Sequence, residues 1–264
     1  MTGAADISRA PRLARSYNLI HMGEVGSTND EAKTLAAAGA PEGTLVWADR
    51  QTGGRGRRGN RWHSPTGNLY CSLVVRPSCA AATAAQLSFV TALAVGEALS
   101  AIAPSGDVMR YKWPNDVLWA DRKIAGILLE SQLERDGALE WLVIGVGVNV
   151  ASHPADSVVD WPATSLLAKG VPDVDAAGVL TAFAAAFSIW QGRWRKYGFV
   201  PVRQAWLERA GGLGRAIEVR LPSETLRGTF ADLDGDGALV MLDAGGKRRK
   251  VVAGAVYFGA SLAR

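Results

Sequence analysis

The sequence has few of the residues that usually mark a metal site, a disulfide framework or a nucleophilic enzyme. It contains only two cysteines, Cys71 and Cys79, and three histidines without the spacing of zinc ligands. Cys71 falls within a strand-like run, where a buried free thiol is the usual finding. Two unpaired cysteines indicate a reducing compartment, and we expect a cytoplasmic protein.

Membrane and secretion signals are missing as well. No window approaches about 18 consecutive apolar residues, the length that a membrane span requires. The N-terminus carries Arg9, Arg12 and Arg15 but no apolar core, so we expect no secretory signal. The sequence therefore predicts no membrane partner.

Several familiar nucleotide- and metal-binding motifs are also absent. No GxxxxGK[ST] stretch occurs, which excludes a P-loop, and Gly145-Val-Gly147 lacks the third glycine and the following helix of a dinucleotide fold. The turn DGDG at 234–237 lacks the glutamate of an EF-hand and fits a hairpin turn. Ser64-Pro65 does not form a nucleophile elbow, so we expect no covalent protein nucleophile.

The composition is that of a globular protein with a local excess of positive charge. The chain has 264 residues, 48% hydrophobic and 20% charged, enough for one large and one small domain. Much of the net charge of +4 lies in the stretch 51–62 and in the run 247–250. This distribution favours a local anion site over a surface that coats nucleic acid.

Periodicity predicts an α+β protein with a mixed, mainly antiparallel sheet and helices on one face. Thr28 and Glu31 fit a capping box at the start of the first helix. A β-hairpin is expected over 115–132, with its turn at Asp121-Arg122. An aromatic stripe that includes Trp190, Trp194 and Tyr197 indicates a helix facing the core. We expect strands at 17–22, 44–49, 68–76, 107–112 and 139–150, and helices at 83–102, 179–197 and from Pro201 to Gly211.

After Gly211-Gly212 the pattern changes to short strands separated by tight turns. The expected strands are 216–221, 226–232, 238–242, 247–252 and 255–258. About fifty residues of this kind predict a small SH3-like β-barrel, too small to be very stable alone. The expected organisation is an N-terminal extension at 1–16, a catalytic domain at 17–212 and an SH3-like domain at 213–264.

The stretch 51–62, QTGGRGRRGNRW, carries four glycines and four arginines. Glycine lets the backbone approach a ligand closely, and arginine offers a planar fork of donors for carboxylate or phosphate oxygens. The stretch predicts a mobile loop that folds over an anion, and a solvated basic turn is the alternative. We call residues 51–62 the arginine flap.

Other polar residues complete an inventory suited to joining two anions. Ser27, Thr28 and Asn29 supply more short polar side chains than one helix cap requires, and the run 112–116, KWPND, carries an amine, an amide and a carboxylate. Activating a carboxylate with a nucleoside triphosphate brings a negative oxygen to a negative α-phosphorus. Fixed cations and Mg²⁺ must offset that repulsion.

These stretches, together with RKIAGI at 122–127 and GVGVN at 145–149, resemble the biotin protein ligases in order and spacing. The resemblance implies a fold related to class II aminoacyl-tRNA synthetases with an SH3-like tail. It also implies two half-reactions: biotin and ATP give biotinyl-5′-AMP, and a lysine of a biotin carboxyl carrier domain then takes the biotin. The implied cofactors are ATP and Mg²⁺.

The resemblance also assigns residues of this sequence. Lys123, Arg57 and Arg55 are the implied catalytic residues, with Lys123 beside the biotin carboxylate and the α-phosphate. Asp116 is placed near the phosphates or Mg²⁺. The implied biotin-binding residues are Ser27, Thr28, Asn29, Gln51, Arg55, Gly56, Arg57, Lys123 and Gly126. The implied ATP- and adenylate-binding residues are Arg57, Arg58, Trp62, Lys112, Asn115, Asp116, Asn149 and Trp161.

Some members of that family carry an N-terminal DNA-binding domain, and here the Ser-Thr-Asn motif begins at residue 27. We therefore expect a ligase without repressor activity. A lipoate-type ligase of the same superfamily is the nearest rival function. A nucleic-acid-binding protein is a rival from another class, although the basic residues are not interleaved with stacking aromatics. The sequence leaves open a homodimer through exposed sheet edges.

Overall fold

The structure is a computed structural model, which describes residues 10–104, 107–135 and 137–259. The predicted extension at 1–16 therefore lies largely outside the described residues. The first part of the chain forms β1 (Asn18–Val25), α1 (Thr28–Ala37), β2 (Thr44–Gln51), β3 (Leu69–Val75), α2 (Ala81–Ala84), α3 (Leu87–Ile102), β4 (Met109–Lys112) and β5 (Asp116–Trp119). The rest forms β6 (Arg122–Leu133), β7 (Leu139–Val148), α4 (Ala176–Tyr197), α5 (Phe199–Glu208), β8 (Ala216–Arg220), β9 (Thr225–Leu233), β10 (Leu239–Leu242), β11 (Arg248–Val251) and β12 (Ala255–Phe258).

The larger sheet has seven strands in the order β1-β2-β3-β7-β6-β5-β4. Only the β1–β2 pair among them is parallel, which confirms the mixed, mainly antiparallel sheet. The register places Gly126 of β6 opposite Gly147 of β7, and Gly145 opposite Ser72 of β3. Three glycines therefore lie close together on two neighbouring strands.

Helices cover both faces of this sheet, so the prediction of helices on one face is wrong. α3 and α4 pack against each other and against one face, where Leu73, Ile144 and Val146 belong to the main core. α1 packs on the opposite face, where Ala32 and Ala36 meet Val143 and neighbouring side chains. Strand residues alternate between faces, and β3 and β7 are apolar on both because both faces are covered.

The stretch Ala81–Ile102 is long and apolar enough to cross a membrane, contrary to the expectation from sequence. Of its most apolar window, 67% is buried inside the protein. Twelve residues of α3 are buried, which leaves little of the helix exposed. α3 is therefore a central core helix, since a helix that is apolar on all sides lies in a core or in a membrane.

Four local predictions need correction. The helix predicted at 83–102 is divided into α2 and α3 at Gln86. Thr28 is the first residue of α1 and not its cap; Ser27 occupies the cap position without a side-chain cap bond. The hairpin turn is one residue earlier than predicted, at Ala120-Asp121, where both residues have positive φ as in a two-residue hairpin turn. Tyr197 is 59% exposed, whereas the rest of the α4 stripe is buried.

The smaller sheet has five antiparallel strands in the order β11-β10-β9-β8-β12, as expected of an SH3-like domain. It packs directly against the larger, N-terminal part of the protein. Trp113 Nε1 donates to the Gly237 carbonyl at 3.0 Å, and the Arg203 guanidinium binds the Asp232 carboxylate at 2.5 Å. These bonds join the KWPND run and α5 to the small sheet. Strands β8 and β12 of the small sheet therefore reach the edge of a cleft in the larger part of the protein.

Candidate functional site

A cleft of about 1050 Å³ lies on the α1 side of the large sheet. Its floor is formed by the glycine-bearing parts of β6 and β7, and the arginine flap lines one wall. The loop 151–163 and the C-terminal domain complete the rim. The predicted site residues that line it are Ser27, Thr28, Asn29, Gln51, Arg55, Gly56, Arg57, Arg58, Trp62, Lys112, Asn115, Asp116, Lys123, Gly126, Asn149 and Trp161.

One end of the cleft, which we call the polar end, is a network of neutral hydrogen bonds. Gln51 Oε1 accepts from the backbone N–H of Thr28 at 2.8 Å and from its hydroxyl at 3.1 Å. Gln51 Nε2 donates to Ser64 Oγ at 3.0 Å. A Cβ at Gly54 would come within 2.4–3.0 Å of Ser64, Trp62 and Gln51, so only glycine allows this close approach. The network holds Gln51 and Thr28 in one fixed arrangement.

Ser72 continues the polar end from the adjacent strand. Its Oγ lies 2.8 Å from Thr28 Oγ1 and 2.6 Å from Asn29 Oδ1. Asn29 Nδ2 donates to Glu130 Oε2 at 2.7 Å. Ser72 was not predicted as a site residue, because it lies within a buried apolar strand. A fully buried hydroxyl in such a strand nevertheless indicates that a hydrogen-bond partner is present.

The glycines of the floor leave room for side chains directly above them. A Cβ at Gly145 would overlap Asn29 Oδ1, and one at Gly147 would lie 2.5 Å from the Trp62 indole. A Cβ at Gly126 would lie 3.0 Å from the same indole. Trp62 therefore lies over the paired glycines, and its buried Nε1 has no hydrogen-bond partner in the described part of the chain.

The opposite end of the cleft, which we call the cationic end, is built around Asp116. Asp116 Oδ1 lies 2.5 Å from Lys123 Nζ, and Oδ2 lies 3.2 Å from Lys112 Nζ. The Lys112 ammonium also lies 4.8 Å from the centre of the Trp161 ring, as in a cation–π contact. Arg57 lines the same region. Three cations thus gather around one carboxylate, which leaves an excess of positive charge for an anionic ligand.

The protonation properties of this end reflect burial and charge together. Burial alone would raise the pKa of Asp116, but Lys123 and Lys112 outweigh it and hold that pKa below its usual value. Burial lowers the pKa of Lys112, and Asp116 opposes this. Burial likewise lowers the pKa of Arg57, next to the like charge of Arg58. Removing cations from water costs free energy, which a bound anion would recover.

The three predicted arginines of the flap have different surroundings. Arg55 forms two parallel 2.6 Å hydrogen bonds to Asp30 of α1, so its side chain fastens the flap to that helix. Arg58, at φ 58°, donates from Nη1 to the carbonyl of Arg220 at 3.0 Å and reaches the C-terminal domain. Arg57 lies between them, near Asp116. The geometry favours Arg57 as the flap residue that meets an anion.

The residues expected beside adenine also support the cleft wall. Asn149 Nδ2 donates to the Thr164 carbonyl at 2.9 Å, and Asn115 Nδ2 donates to the Ile127 carbonyl at 2.5 Å. Trp161 Nε1 donates to the Asp121 carbonyl at 3.0 Å, and its ring centre lies 4.9 Å from that of Phe258. These bonds fix the loop 151–163 against the hairpin and the C-terminal domain.

Apart from Trp161, sequence reasoning missed the residues of the C-terminal domain and of the loop 151–163 that line the cleft. The loop is held by Arg122, whose Nη2 lies 2.5 Å from Asp156 Oδ1. Nothing in the sequence linked the short β-strands to the KWPND run, because their proximity arises only from domain packing. The missed lining residues include His153, Val158, Asp160, Arg220 and Tyr257.

The donor set does not suit a resident metal ion. Among residues 10–104, 107–135 and 137–259, no group of three or more His, Cys, Asp or Glu is placed to hold one. Both oxygens of Asp116 are engaged by ammonium groups. Mg²⁺ commonly binds through substrate phosphates with few protein ligands, so this donor set does not conflict with the expectation of Mg²⁺ as a cofactor.

Comparisons with known proteins agree with this geometry. The model of the Biotin/lipoate A/B protein ligase family matches residues 24–149, and that of the Biotin protein ligase C terminal domain matches 212–259. The Biotin--[acetyl-CoA-carboxylase] ligase of Paracoccus denitrificans is 40% identical and covers 90% of this chain and 99% of its own. The Bifunctional ligase/repressor BirA of Escherichia coli is 32% identical over 75% of this chain and 61% of its own.

Among solved structures, the biotin protein ligase from Aquifex aeolicus in complex with biotin and ATP superposes with a TM-score of 0.76. It is 29% identical, and the match covers 91% of this chain and 97% of that one. The similarity thus extends over most of the chain, including its C-terminal domain. The chain belongs to the biotin protein ligase family.

Proposed function

We propose that this protein joins biotin to ATP, forming biotinyl-5′-AMP and pyrophosphate, and then transfers the biotinyl group to a lysine of a biotin carboxyl carrier domain. The observation that carries this proposal is the pairing, in one cleft, of a neutral hydrogen-bonding end with an end where Lys112 and Lys123 bind Asp116 and Arg57 lies close by. Biotin has the complementary form, a neutral ureido ring at one end and a carboxylate at the other.

At the polar end, the ureido group would bind the side chains that are already fixed. It has two N–H donors and one carbonyl acceptor, and Thr28 and Gln51 supply hydroxyl and amide groups of both kinds. Ser72 is fully buried and would hold Thr28 in place without contacting the ligand. Ser27 and Asn29 line the same end. The apolar chain of biotin would lie against the Trp62 indole, which covers Gly126 and Gly147.

At the cationic end, Lys123, Lys112 and Arg57 would surround the carboxylate and the α-phosphate. A carboxylate oxygen forms the new bond to the α-phosphorus, and the bond from that phosphorus to the oxygen bridging to the β-phosphate breaks. The electron pair leaves with pyrophosphate. Fixed cations stabilise the charge that develops without having to reorganise. Asp116 would hold the two ammonium groups in place and limit their mutual repulsion.

The adenosine part would extend toward Asn115, Asn149 and Trp161, which line the cleft beyond the cationic end. In the second step, the carrier lysine amine attacks the acyl carbon of the mixed anhydride and AMP departs. The anhydride must be shielded from water until then, and the arginine flap lies where it would provide this cover. Arg58 fastens the flap to the C-terminal domain during this interval.

A lipoate ligase is the alternative that the matching family model includes. The dithiolane ring of lipoate has no N–H donor or carbonyl acceptor. The connected network of Thr28, Gln51 and Ser72 would then have no role in substrate recognition. This network favours biotin.

The decisive experiment is transfer of radiolabelled biotin to a purified carrier domain, with MgATP and without it. We expect label on the acceptor lysine only with MgATP, and biotinyl-5′-AMP when the acceptor is left out. Lipoate serves as the competing substrate, and preferential transfer of lipoate would establish the alternative. Absence of both acyl adenylates would refute the proposal.

The expected lack of repressor activity stays a prediction, and a gel-shift with operator DNA and preformed adenylate would test it. A homodimer and a cytoplasmic location also stay predictions.

A further inference from the structure

The C-terminal domain places a cation at the rim of the cleft. Arg220, the last residue of β8, lines the cleft together with Tyr257 of β12. The Arg220 guanidinium carbon lies 4.1 Å from the centre of the Tyr257 ring, and its Nε donates to Glu218 Oε1 at 2.7 Å. The side chain is therefore oriented by two neighbours of its own domain. Cation–π stacking and a carboxylate partner together restrict its rotamers.

Tyr257 also connects this rim to the cationic end. Lys112 Nζ lies 6.0 Å from the centre of the same ring, so Arg220 and Lys112 are within about 10 Å of each other. A triphosphate chain with a hydrogen bond at each end can span that distance. The path from Lys123 past Lys112 and Tyr257 to Arg220 follows the lining of one continuous cleft.

The charge balance calls for a cation at this position. The inner end holds Lys112, Lys123 and Arg57 against one carboxylate, and the biotin carboxylate and the α-phosphate would account for that excess. The β- and γ-phosphates then need partners farther out. Arg58 and Arg220 are the cations that line the rim nearest the C-terminal domain, and they are joined by a hydrogen bond from Arg58 Nη1 to the Arg220 carbonyl.

Two acidic residues, Glu218 and Asp160, lie close to the same group. The pKa of Arg220 is raised first by the hydrogen bond to Glu218 and also by the nearby charge of Asp160. Asp160 lines the rim but forms no ion pair with Arg220 within the described part of the chain. Glu218 is shared with Arg227, whose Nε lies 3.1 Å from Oε2, so the two arginines together outweigh that carboxylate.

We infer that Arg220 binds the β- and γ-phosphates of ATP and the departing pyrophosphate. This inference rests on the proposed function. As the bond from the α-phosphorus to the bridging oxygen breaks, negative charge accumulates on the pyrophosphate, and a fixed guanidinium stabilises it. The planar fork of arginine suits phosphate oxygens. Glu218 binds the Nε of Arg220, which leaves the two terminal nitrogens of Arg220 as donors for phosphate. The C-terminal domain would thus take part in the first half-reaction.

The chain offers a matched control. Arg227 binds the other oxygen of Glu218, but its side chain is 81% exposed and does not line the cleft. Arg220→Ala and Arg227→Ala each leave Glu218 with one arginine. A loss of activity that arises only because Glu218 has lost one ion pair should therefore appear in both variants. Arg220→Lys keeps the charge and removes the fork.

The experiment measures three quantities in wild type and in these variants: KM for ATP in adenylate formation, KM for pyrophosphate in the reverse reaction, and the single-turnover rate of transfer from preformed biotinyl-5′-AMP. We expect Arg220→Ala to raise both KM values about 10- to 100-fold, the range for losing a hydrogen bond to a charged group. Arg220→Lys should be intermediate and Arg227→Ala should stay close to wild type. Transfer from preformed adenylate should not change, because that step involves no pyrophosphate.

AMP provides a second test, since it lacks the β- and γ-phosphates. Arg220→Ala should bind AMP as wild type does. Equal effects of Arg220→Ala and Arg227→Ala, an equal loss of AMP binding, or unchanged KM values for ATP and pyrophosphate would overturn the inference. A wild-type protein that forms no adenylate would instead refute the proposed function, so the two failures are distinguishable.

Discussion

The two ends of the cleft hold their side chains in opposite ways. At the polar end, Thr28, Gln51 and Ser72 satisfy one another by neutral hydrogen bonds before any ligand arrives. At the cationic end, Lys112, Lys123 and Arg57 share a single carboxylate, and positive charge is left over. The first arrangement is complete without substrate, and the second is not.

This difference predicts different kinetic roles. A neutral ring that does not react binds the polar end equally well before and during the reaction, so those contacts contribute to affinity. The cationic end faces the atoms whose charge changes, so its interactions strengthen as the transition state forms. Only the second kind of interaction increases the rate of the chemical step. Substitutions at the two ends should therefore separate into effects on KM for biotin and effects on kcat.

The largest effect is expected from Lys123→Ala. Its ammonium lies 2.5 Å from Asp116 and lines the cleft where the carboxylate and α-phosphate would meet. Adenylate formation should fall about 10²- to 10³-fold, the usual cost of removing one preorganised electrostatic group. Biotin affinity, measured by calorimetry without ATP, should change much less.

Lys33→Ala is the matched control, because Lys33 also forms an ion pair, with Glu130, but does not line the cleft. Pyrophosphate exchange should remain close to wild type in this control. Exchange near the wild-type rate in Lys123→Ala would show that the cationic end does not drive the first step.

Asp116→Asn should have the largest effect on stability. It leaves the buried Lys112 ammonium and the partly exposed Lys123 ammonium without their carboxylate, and breaking a buried pair in this way costs about 3–5 kcal/mol. Urea unfolding at pH 7 would measure the loss. Added pyrophosphate should recover part of it, since an anion that binds only the folded state stabilises it. A loss below about 1 kcal/mol would contradict the assigned role of Asp116.

The pH dependence of this difference has a definite sign. The lysines hold the pKa of Asp116 below its usual value in the folded state. Its contribution to stability is then complete above the unfolded value of about 3.9 and is lost as pH falls toward the folded pKa. The free-energy difference between wild type and Asp116→Asn should therefore be constant near neutrality and shrink below about pH 4. A difference that grows on acidification would contradict this assignment.

Gly145→Ala should reduce biotin affinity at the polar end. The new methyl group would overlap Asn29 Oδ1, which is fixed by Ser72 and by the bond from its amide to Glu130. Overpacking of this kind costs about 1–3 kcal/mol. Titration of biotin would measure the loss, and kcat at saturating biotin should be affected less. Gly23→Ala is the control, because a Cβ there has no neighbour within 4 Å. Equal effects of the two substitutions would count against a tightly fitted polar end.

Thr28→Val tests the polar end more gently. Valine keeps the shape of the side chain but cannot bind Gln51 Oε1 or Ser72 Oγ. We expect a loss of about 1 kcal/mol, or about fivefold in KM for biotin, with kcat nearly unchanged. Thr34→Val is the control, because that exposed hydroxyl only returns to a carbonyl of its own helix, that of Asp30. A fall in kcat without a change in KM would break the proposed division between the two ends.

The sequence was sufficient for most of the fold, which depends on local patterns, and the resemblance to biotin protein ligases named many of the residues that line the cleft. Alternating apolar residues predicted the strands, and Gly198 at φ 70° ends α4 as expected. What it could not give was which partner each polar group chooses. Thr28 looks like a helix cap but binds Gln51, a residue 23 positions away, and Arg220 reaches the cleft only through domain packing. Such contacts depend on tertiary distances that no local spacing encodes.

Arg55 provides the smallest effect and tests that point directly. The resemblance implied a catalytic role, but the Arg55 guanidinium is paired with Asp30, and both side chains are partly exposed, at 38% and 46%. An exposed ion pair contributes about 0.2–1 kcal/mol. Asp30→Asn, which leaves the guanidinium only the more distant Glu130 carboxylate at 3.8 Å, should therefore lower adenylate formation by less than about fivefold, as expected for a pair that only fastens the flap to α1. Glu24→Gln, which breaks the exposed Arg50 pair outside the cleft, gives the baseline. If Asp30→Asn instead raised the rate of adenylate formation, Arg55 without its Asp30 partner would be stabilising the reacting anions. Arg55 would then belong to the cationic end, together with Arg57.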